Sequence, residues 1–424
     1  MKTVKFYTLG CKVNLYETEA IKNLFKNEGF LPTDSEVADI YVINTCTVTA
    51  AGDKKSRQII HRAKRNNPDG IVAVIGCYAQ VSADEIQKIS DVDIIVGTAE
   101  KSKVVDFVKQ FCGEKINALH ELDDVRFEEM SSGMQQRTRA MLKIQDGCEN
   151  FCSYCIIPYA RGRLRSRSIK SSVLEAESLA AKGFTEVVLV GIHLSSYGKR
   201  NNLSLIDVIK EICNVEGIIR VRIGSLEPKI ITKSFVRELS ALKKVCPSFH
   251  ISMQSGCDET LKRMNRKYTV AEYLNALALL REYFPNCAVS TDVMVGFPGE
   301  SDIEFEKTIE TINKAQFSQM HVFAYSRRKG TPADTMKNQI DDATKAKRSK
   351  ELIALGESLR KNYLEKFIGK RLTVLFETTT QGFTDNYIRV VTKEKAPIGS
   401  YQDVIIETCN NNTCIGKIAE EKNR

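Results

Sequence analysis

Three cysteines crowd one short stretch of the chain, Asp146-Gly147-Cys148-Glu149-Asn150-Phe151-Cys152-Ser153-Tyr154-Cys155. Thiolates at the spacing C-x3-C-x2-C on one loop can converge on a single cubane iron–sulfur cluster. Three protein ligands for four irons leave one iron open to a substrate or cofactor, the property that separates catalytic metal sites from closed structural ones. Zinc is the competing reading, but zinc fingers usually combine two cysteine pairs, or a cysteine pair with a histidine pair. No fourth ligand stands at such a spacing here.

A second set is spread over the N-terminal part of the chain. Cys11 follows the strand-like run ending in Leu9-Gly10, Cys46 follows Ile43-Asn44-Thr45, and Cys77 follows Ile75-Gly76. Each stands at the carboxyl end of one of the first three parallel strands, where open α/β sheets bind ligands. Neighbouring strands lie ~4.8 Å apart, so thiolates at adjacent strand ends can meet on one cluster. Gly10 and Gly76 let the backbone approach closely. One such cysteine is adequately explained as a small core residue. Three in register, in a chain already carrying a cluster motif, point to a second iron–sulfur cluster. Cys112, Cys213, Cys246, Cys257, Cys287, Cys409 and Cys414 show no comparable arrangement and are expected to be structural.

The elements that must position these thiols are legible as alternating patterns. Strand-like runs Val4–Leu9, Ile40–Asn44, Ile71–Ile75 and Asp93–Val96 are each followed by a helix-compatible stretch, such as Glu17–Asn27 or Lys54–Asn66. That alternation predicts a parallel α/β sheet, forming a first domain over 1–115. The stretch 113–138, with Glu121, Asp123, Asp124, Glu128 and Glu129 before Ser131-Ser132-Gly133, reads as a linker. Further strands are expected at Met141–Gln145, Glu186–Gly191, Ile218–Gly224, Phe249–Met253, Ala288–Val295 and Gln319–Ala324, with helices such as Ser171–Ala181 and Ala271–Tyr283 between them. They suggest a partial (β/α)6 barrel over 134–365, with the three-cysteine loop after its first strand, at the mouth where barrel active sites form. Apolar residues at helical spacing predict a long helix over 343–367. The segment 366–424 reads as a small all-β barrel of the kind that carries nucleic-acid binding. Its strands are expected at Leu372–Glu377, Tyr387–Val391, Val404–Thr408 and Thr413–Ile418, separated by turns such as Gly382-Phe383-Thr384-Asp385-Asn386.

Composition fits this outline. With 424 residues, 42% hydrophobic and 27% charged, the chain can bury several cores. Nothing at the N-terminus resembles a signal peptide, and no apolar run approaches the ~20 residues of a transmembrane helix. The expected location is the cytoplasm, without membrane attachment. Disulfides are rare there, so thirteen cysteines are better explained by metal binding. The net charge of +9 is concentrated in clusters: Lys54, Lys55, Arg57, Arg62, Lys64 and Arg65; Arg161, Arg163, Arg165, Arg167 and Lys170; Lys345, Lys347, Arg348 and Lys350. One cluster alone is an ordinary solvated face; several together favour a polyanion such as RNA.

The three-cysteine spacing, with Tyr154 before the last cysteine, resembles the signature of the radical S-adenosylmethionine superfamily. The two cysteine triads and the domain order together resemble the methylthiotransferase family over nearly the whole chain: an N-terminal methylthiotransferase domain, a radical barrel and a C-terminal TRAM domain, OB-like in form. Thr8-Leu9-Gly10-Cys11-Lys12-Val13-Asn14 is most similar to the branch acting on N6-threonylcarbamoyladenosine in tRNA, next to the anticodon. The isopentenyladenosine branch more typically reads Gly-Cys-Gln-Met-Asn. The segment His250 to Cys257 departs from the usual pattern, which commonly has a proline there and a serine at the last position.

The resemblance implies two 4Fe-4S clusters, one on Cys148, Cys152 and Cys155 and one on Cys11, Cys46 and Cys77. S-adenosylmethionine would serve both as radical source and as methyl donor, and tRNA would be the substrate. An electron donor such as flavodoxin or ferredoxin is implied as a partner. The open iron would chelate S-adenosylmethionine, and the resulting 5′-deoxyadenosyl radical would abstract hydrogen from carbon 2 of the adenine. The second cluster would hold the sulfur species transferred to that carbon, the cofactors carrying the hard chemistry. Tyr154, His193, Glu227, Gln254 and Asp292, at or near the barrel mouth, are the expected S-adenosylmethionine contacts; no catalytic acid or base is singled out. Each polar one has a plainer role open to it: His193 as a helix cap, Glu227 as an ion-pair partner, Asp292 as a structural hydrogen-bond acceptor. Arg161–Arg167 is expected to grip a cofactor carboxylate or a tRNA phosphate. The target base must leave its stack to reach the radical. Competing readings are the same chemistry on isopentenyladenosine or a ribosomal protein, a redox-sensing iron–sulfur RNA binder, and a radical enzyme for a small molecule.

Overall fold

The computed structural model describes residues 1–123, 125–133, 138–410 and 412–420. Asp124 and residues 134–137, at the end of the expected linker, lie outside the described residues, as do Asn411 and residues 421–424. Strands β1 (Thr3–Thr8), β2 (Leu31–Pro32), β3 (Ile40–Thr45), β4 (Ile71–Gly76), β5 (Ile94–Val96) and β6 (Ile116–Ala118) form one parallel sheet in the order 2-1-3-4-5-6. β3 and β4 are near-continuous apolar runs because helices cover both faces. Val13, Tyr16 and Phe25 of the helix Lys12–Asn27 pack on one face with Val4 and Val42. Ile60 and Ala63 of the helix Ala50–Asn66 pack on the other with Tyr41, Ile43 and Val74. Thr49 caps the latter helix, accepting from the Gly52 amide at 3.1 Å. Four strands were expected. The two extra ones, β2 and β6, are edges of two and three residues, too short to show a period of two, and β6 falls inside the expected linker.

The next strands are β7 (Ala140–Lys143), β8 (Gln145–Asp146), β9 (Arg165–Ser166), β10 (Glu186–Val190), β11 (Arg220–Ile223), β12 (Ser248–His250), β13 (Ala288–Val295) and β14 (Gln319–Ala324). Parallel sheets β7-β10-β11 and β12-β13-β14 are joined by bridges Val221–Val245 and Leu226–Ile251. The six expected barrel strands are therefore present. The first is shorter than its hydrophobic run, because Gln145 and Asp146 turn away to pair antiparallel with β9. Gly147 makes the departure possible: its φ is +73°, and a β-carbon there would sit 1.9 Å from the Arg163 carbonyl oxygen.

The helix Asp342–Glu365 leads to β15 (Arg371–Phe376), β16 (Gln381–Thr384), β17 (Arg389–Thr392), β18 (Tyr401–Cys409) and β19 (Cys414–Ile418), which close into a barrel in the order 15-16-17-19-18. β16 corrects the expected turn at Gly382–Asn386. Gly-Phe-Thr has no apolar alternation, and Gly382 lies so close to β15 that a β-carbon would stand 2.2 Å from the Leu375 carbonyl oxygen. Cys409 and Cys414, cross-strand partners at the end of the β18–β19 hairpin, form a disulfide. The barrel docks against the preceding α/β domain. Arg139 pairs with Glu377 at 2.7 Å, Arg222 donates to the Asp385 carbonyl at 2.9 Å, and both guanidinium groups lie over the Tyr387 ring. Among the described residues no helix is long and apolar enough to cross a membrane.

Candidate active site

The loop bearing Cys148, Cys152 and Cys155 is held by its backbone. The Cys148 amide donates to the Gly162 carbonyl at 3.1 Å, and the Ser153 amide to that of Met264 at 3.0 Å. Burial pushes the Cys148 thiol up to about 11 and Cys155 up to about 12, and the neighbouring thiols add to both effects. Three free thiols on one short loop are a donor set that a cationic cluster would deprotonate on binding. Arg266 donates to the Cys152 sulfur at 3.3 Å, placing a positive charge where thiolate charge would develop. The residues fit a cluster with three cysteine ligands.

Cys11, Cys46 and Cys77 also converge. β1, β3 and β4 are adjacent in the sheet. Cys11 is the N-cap of helix Lys12–Asn27, and Cys77 opens the short helix after β4. Gly10 has φ +102°, and a β-carbon on it would lie 2.6 Å from that of Cys46. Burial pushes Cys46 up to about 11, with Cys77 and Cys11 contributing. The Arg161 Nε donates to the Cys77 sulfur at 3.3 Å, as Arg266 does in the other triad. These residues fit a second cluster on the same grounds.

Between the triads lies a fully buried charge network. Arg161 contacts Glu17 at 2.9 Å and Asp146 at 3.0 Å; Lys143 contacts the same two carboxylates at 2.8 and 2.6 Å; Lys101 contacts Glu17 at 2.5 Å. Although burial opposes ionisation of Glu17, the charges of Arg161, Lys101 and Lys143 outweigh it and hold the carboxyl well below its usual range. This corrects the expected role of Arg161–Arg167. Arg161, Arg165 and Arg167 are buried and pair with Glu17, Asp146 and Glu175, leaving Arg163 exposed. Glu17→Gln is expected to cost about 3–5 kcal/mol, because it leaves buried cations uncompensated, read as a lower urea midpoint. With a depressed folded pKa, Glu17 contributes fully above the unfolded value of about 4.3, and the contribution fades as pH falls towards the folded value.

The other expected site residues fall into two groups. His193 and Glu227 meet at 3.1 Å beside the cluster loop, where Asn150 donates to Glu227 at 2.8 Å and Arg266 stands 3.0 Å from it. Burial raises the Glu227 pKa, but His193 and Arg266 prevail and bring it to about 2. Tyr154, Gln254 and Asp292 line a cavity of about 370 Å³ together with Cys155. Gln254 has φ +67° and a buried amide oxygen that accepts no hydrogen bond among the described residues, an acceptor free for a ligand's donor. Asp292 pairs with His250 at 3.3 Å and also lines a second cavity of about 570 Å³, which holds Cys11 and His321. Asn150, His250, Arg266 and His321 line or contact the site and were not singled out by sequence reasoning. Asn150, between two cysteines of the C-x3-C-x2-C loop, and His250, at the start of the segment ending in Cys257, lie inside recognisable motifs, and there position was a usable signal.

Comparison with known proteins agrees with this geometry. The profile described as Radical SAM superfamily matches residues 142–312, and that of Uncharacterized protein family UPF0004 matches residues 3–97. The chain is 46% identical over 409 residues to the threonylcarbamoyladenosine tRNA methylthiotransferase MtaB of Bacillus subtilis, covering 93% of this chain and 91% of the relative. It is 34% identical to a tRNA-2-methylthio-N(6)-dimethylallyladenosine synthase of Clostridium botulinum, covering 88% and 86%. Among solved structures, the radical S-adenosylmethionine methyltransferase TsrM of Kitasatospora setae shares the fold at 16% identity and a TM-score of 0.59, covering 79% of this chain and 75% of that one. With relatives matching along almost its full length, the chain belongs to the radical S-adenosylmethionine methylthiotransferase family, in its threonylcarbamoyladenosine tRNA branch.

Proposed function

We propose that the chain attaches a methylthio group to carbon 2 of N6-threonylcarbamoyladenosine next to the tRNA anticodon, giving 2-methylthio-N6-threonylcarbamoyladenosine. The observation that carries this reading is the wall at Asp292, shared by the cavity containing Cys155 and the cavity containing Cys11. A base between the triads can face both a hydrogen-abstracting centre and a sulfur donor. When bound, S-adenosylmethionine with its 4Fe-4S cluster supplies the radical chemistry, and a second 4Fe-4S cluster supplies the sulfur.

Cys148, Cys152 and Cys155 would hold the first cluster, and Cys11, Cys46 and Cys77 the second. Arg266 and Arg161 donate to one sulfur of each triad and offset thiolate charge in a dry interior. Tyr154, Gln254 and Asp292 would contact S-adenosylmethionine from the Cys155 side; the unpartnered Gln254 oxygen supports that assignment. Glu227, kept anionic by His193 and Arg266, would accept from its cationic or hydroxyl groups. Functionally the chain divides into residues 1–115 for sulfur delivery, 134–365 for radical formation and 366–424 for RNA contact. Lys54, Lys55, Arg62 and Arg65 are exposed on the helix Ala50–Asn66 and suit tRNA phosphates. A flavodoxin or ferredoxin would supply electrons, and the working compartment is the cytoplasm.

The test is nucleoside mass spectrometry of total tRNA from a strain lacking the gene. Loss of 2-methylthio-N6-threonylcarbamoyladenosine, with the unthiolated nucleoside accumulating, is expected. An unchanged profile in a strain without a redundant enzyme would refute a tRNA substrate.

A further inference from the structure

Two cavities meet at the start of the helix Lys12–Asn27. The 570 Å³ cavity that holds Cys11 and an adjoining one of about 660 Å³ share Lys12, Arg222 and Tyr387 in their walls. The charged groups of these walls are nearly all spoken for. Arg222 pairs with Glu186 at 2.9 Å, Arg139 with Glu377 at 2.7 Å, and Asp292 with His250 at 3.3 Å. Lys182, at the far side of the larger cavity, donates to the Ser178 hydroxyl at 3.0 Å, whereas Lys12, which lines both cavities, is acted on among the described residues by Tyr387, Arg139 and Arg222, none of them a carboxylate. The first turn of its helix also carries no acidic residue, so the helix dipole opposes this ammonium group without compensation. The corner beside Cys11 therefore holds a lysine that no carboxylate of the described residues pairs with, although Asp292 lines the same cavity beside His250.

The substrate chemistry supplies a carboxylate partner. On an adenine, carbon 2 and the N6 substituent flank N1 on the same Watson–Crick edge. A base that turns carbon 2 towards sulfur held at Cys11 also brings its N6 substituent to the neighbours of Cys11. A threonylcarbamoyl group carries a carboxylate at its end, whereas a dimethylallyl group is neutral and apolar. Resting on the function proposed above, we propose that Lys12 is a specificity-determining residue that pairs with the carboxylate of the N6-threonylcarbamoyl group, anchoring the base with carbon 2 at the sulfur donor. It discriminates in both directions, since a neutral alkenyl group would leave the ammonium without a partner.

The experiment uses cluster-loaded full-length enzyme, with Lys12→Gln and Lys12→Arg variants, and three anticodon stem–loops. One carries N6-threonylcarbamoyladenosine, one its carboxyl methyl ester and one plain adenosine. Lys12→Gln is expected to lower kcat/KM on the free carboxylate about 10- to 100-fold, chiefly through KM, with Lys12→Arg restoring most of it. Esterification should cost the wild type a similar factor and the Lys12→Gln variant little. Affinity for the plain stem–loop and iron per chain should stay unchanged. Equal weakening on all three stem–loops would mean a phosphate contact and overturn the assignment. So would lost iron in Lys12→Gln, which would mark a structural role, or an undiminished kcat/KM. If the wild type fails on the threonylcarbamoyl stem–loop, the proposed function falls and the Lys12 assignment with it; an active wild type matched by Lys12→Gln removes the Lys12 assignment alone.

Discussion

Replacing Cys148, Cys152 and Cys155 together with alanine should abolish release of 5′-deoxyadenosine and formation of any methylthio product, while iron falls from about eight to about four per chain. The variant is expected to fold. The loop is held by backbone hydrogen bonds to Gly162 and Met264, which alanine leaves in place. Arg266 loses the Cys152 sulfur but keeps Glu227 at 3.0 Å and the Tyr268 ring at 4.9 Å, so its buried charge is not stranded. Iron analysis and chromatography of the nucleoside products check this. Persistent 5′-deoxyadenosine would show that the radical cluster is ligated elsewhere.

The matching variant, with Cys11, Cys46 and Cys77 all alanine, should separate the two halves of the reaction. It is expected to lose methylthio transfer completely and again about four irons per chain, yet still release 5′-deoxyadenosine when reduced with S-adenosylmethionine. The reason is spatial. The proposed radical ligands all lie within the Cys148–Cys155 loop, and the cavity beside Cys155 is walled by β13, β14 and by Val48 and Thr49 of the N-terminal domain, but by none of Cys11, Cys46 and Cys77 themselves. The triads are linked through Arg161, which spans Cys77 and Asp146, and not through a shared ligand. Arg161 would retain Glu17, Asp146 and Asn14, so the buried network survives. Methylthiolated product from this variant would exclude the N-terminal triad as sulfur donor.

Much of this site was legible because its determinants are local. Cys148, Cys152 and Cys155 are close in sequence, and a loop of that spacing needs no distant partner to bring three sulfurs together. Cys11, Cys46 and Cys77 were legible at one remove, since each closes a buried apolar strand and adjacent parallel strands deliver their ends side by side. The strands missed were those without a periodic signal: β2 and β6 at the sheet edges, the two-residue β9 that pairs with β8, and β16, where glycine allows a close strand approach that hydrophobicity does not mark.

The arginines illustrate the other limit. Arg161, Arg165 and Arg167 read as a surface cluster because charge is exposed by default, yet all three are buried. Glu17 lies 144 positions from Arg161, and Arg266 lies 114 from Cys152; nothing local signals either pairing. By itself, then, the sequence determined which thiols can be brought together, the parallel-strand framework that carries them and the family of chemistry, because spacing and apolar period act over a few residues. Only the tertiary structure decided which charges are buried between the triads, where Lys12 stands without a carboxylate partner among the described residues, and how two cavities come to share Asp292. Those outcomes depend on packing one domain against another, where a buried ion must find its partner across the whole length of the chain.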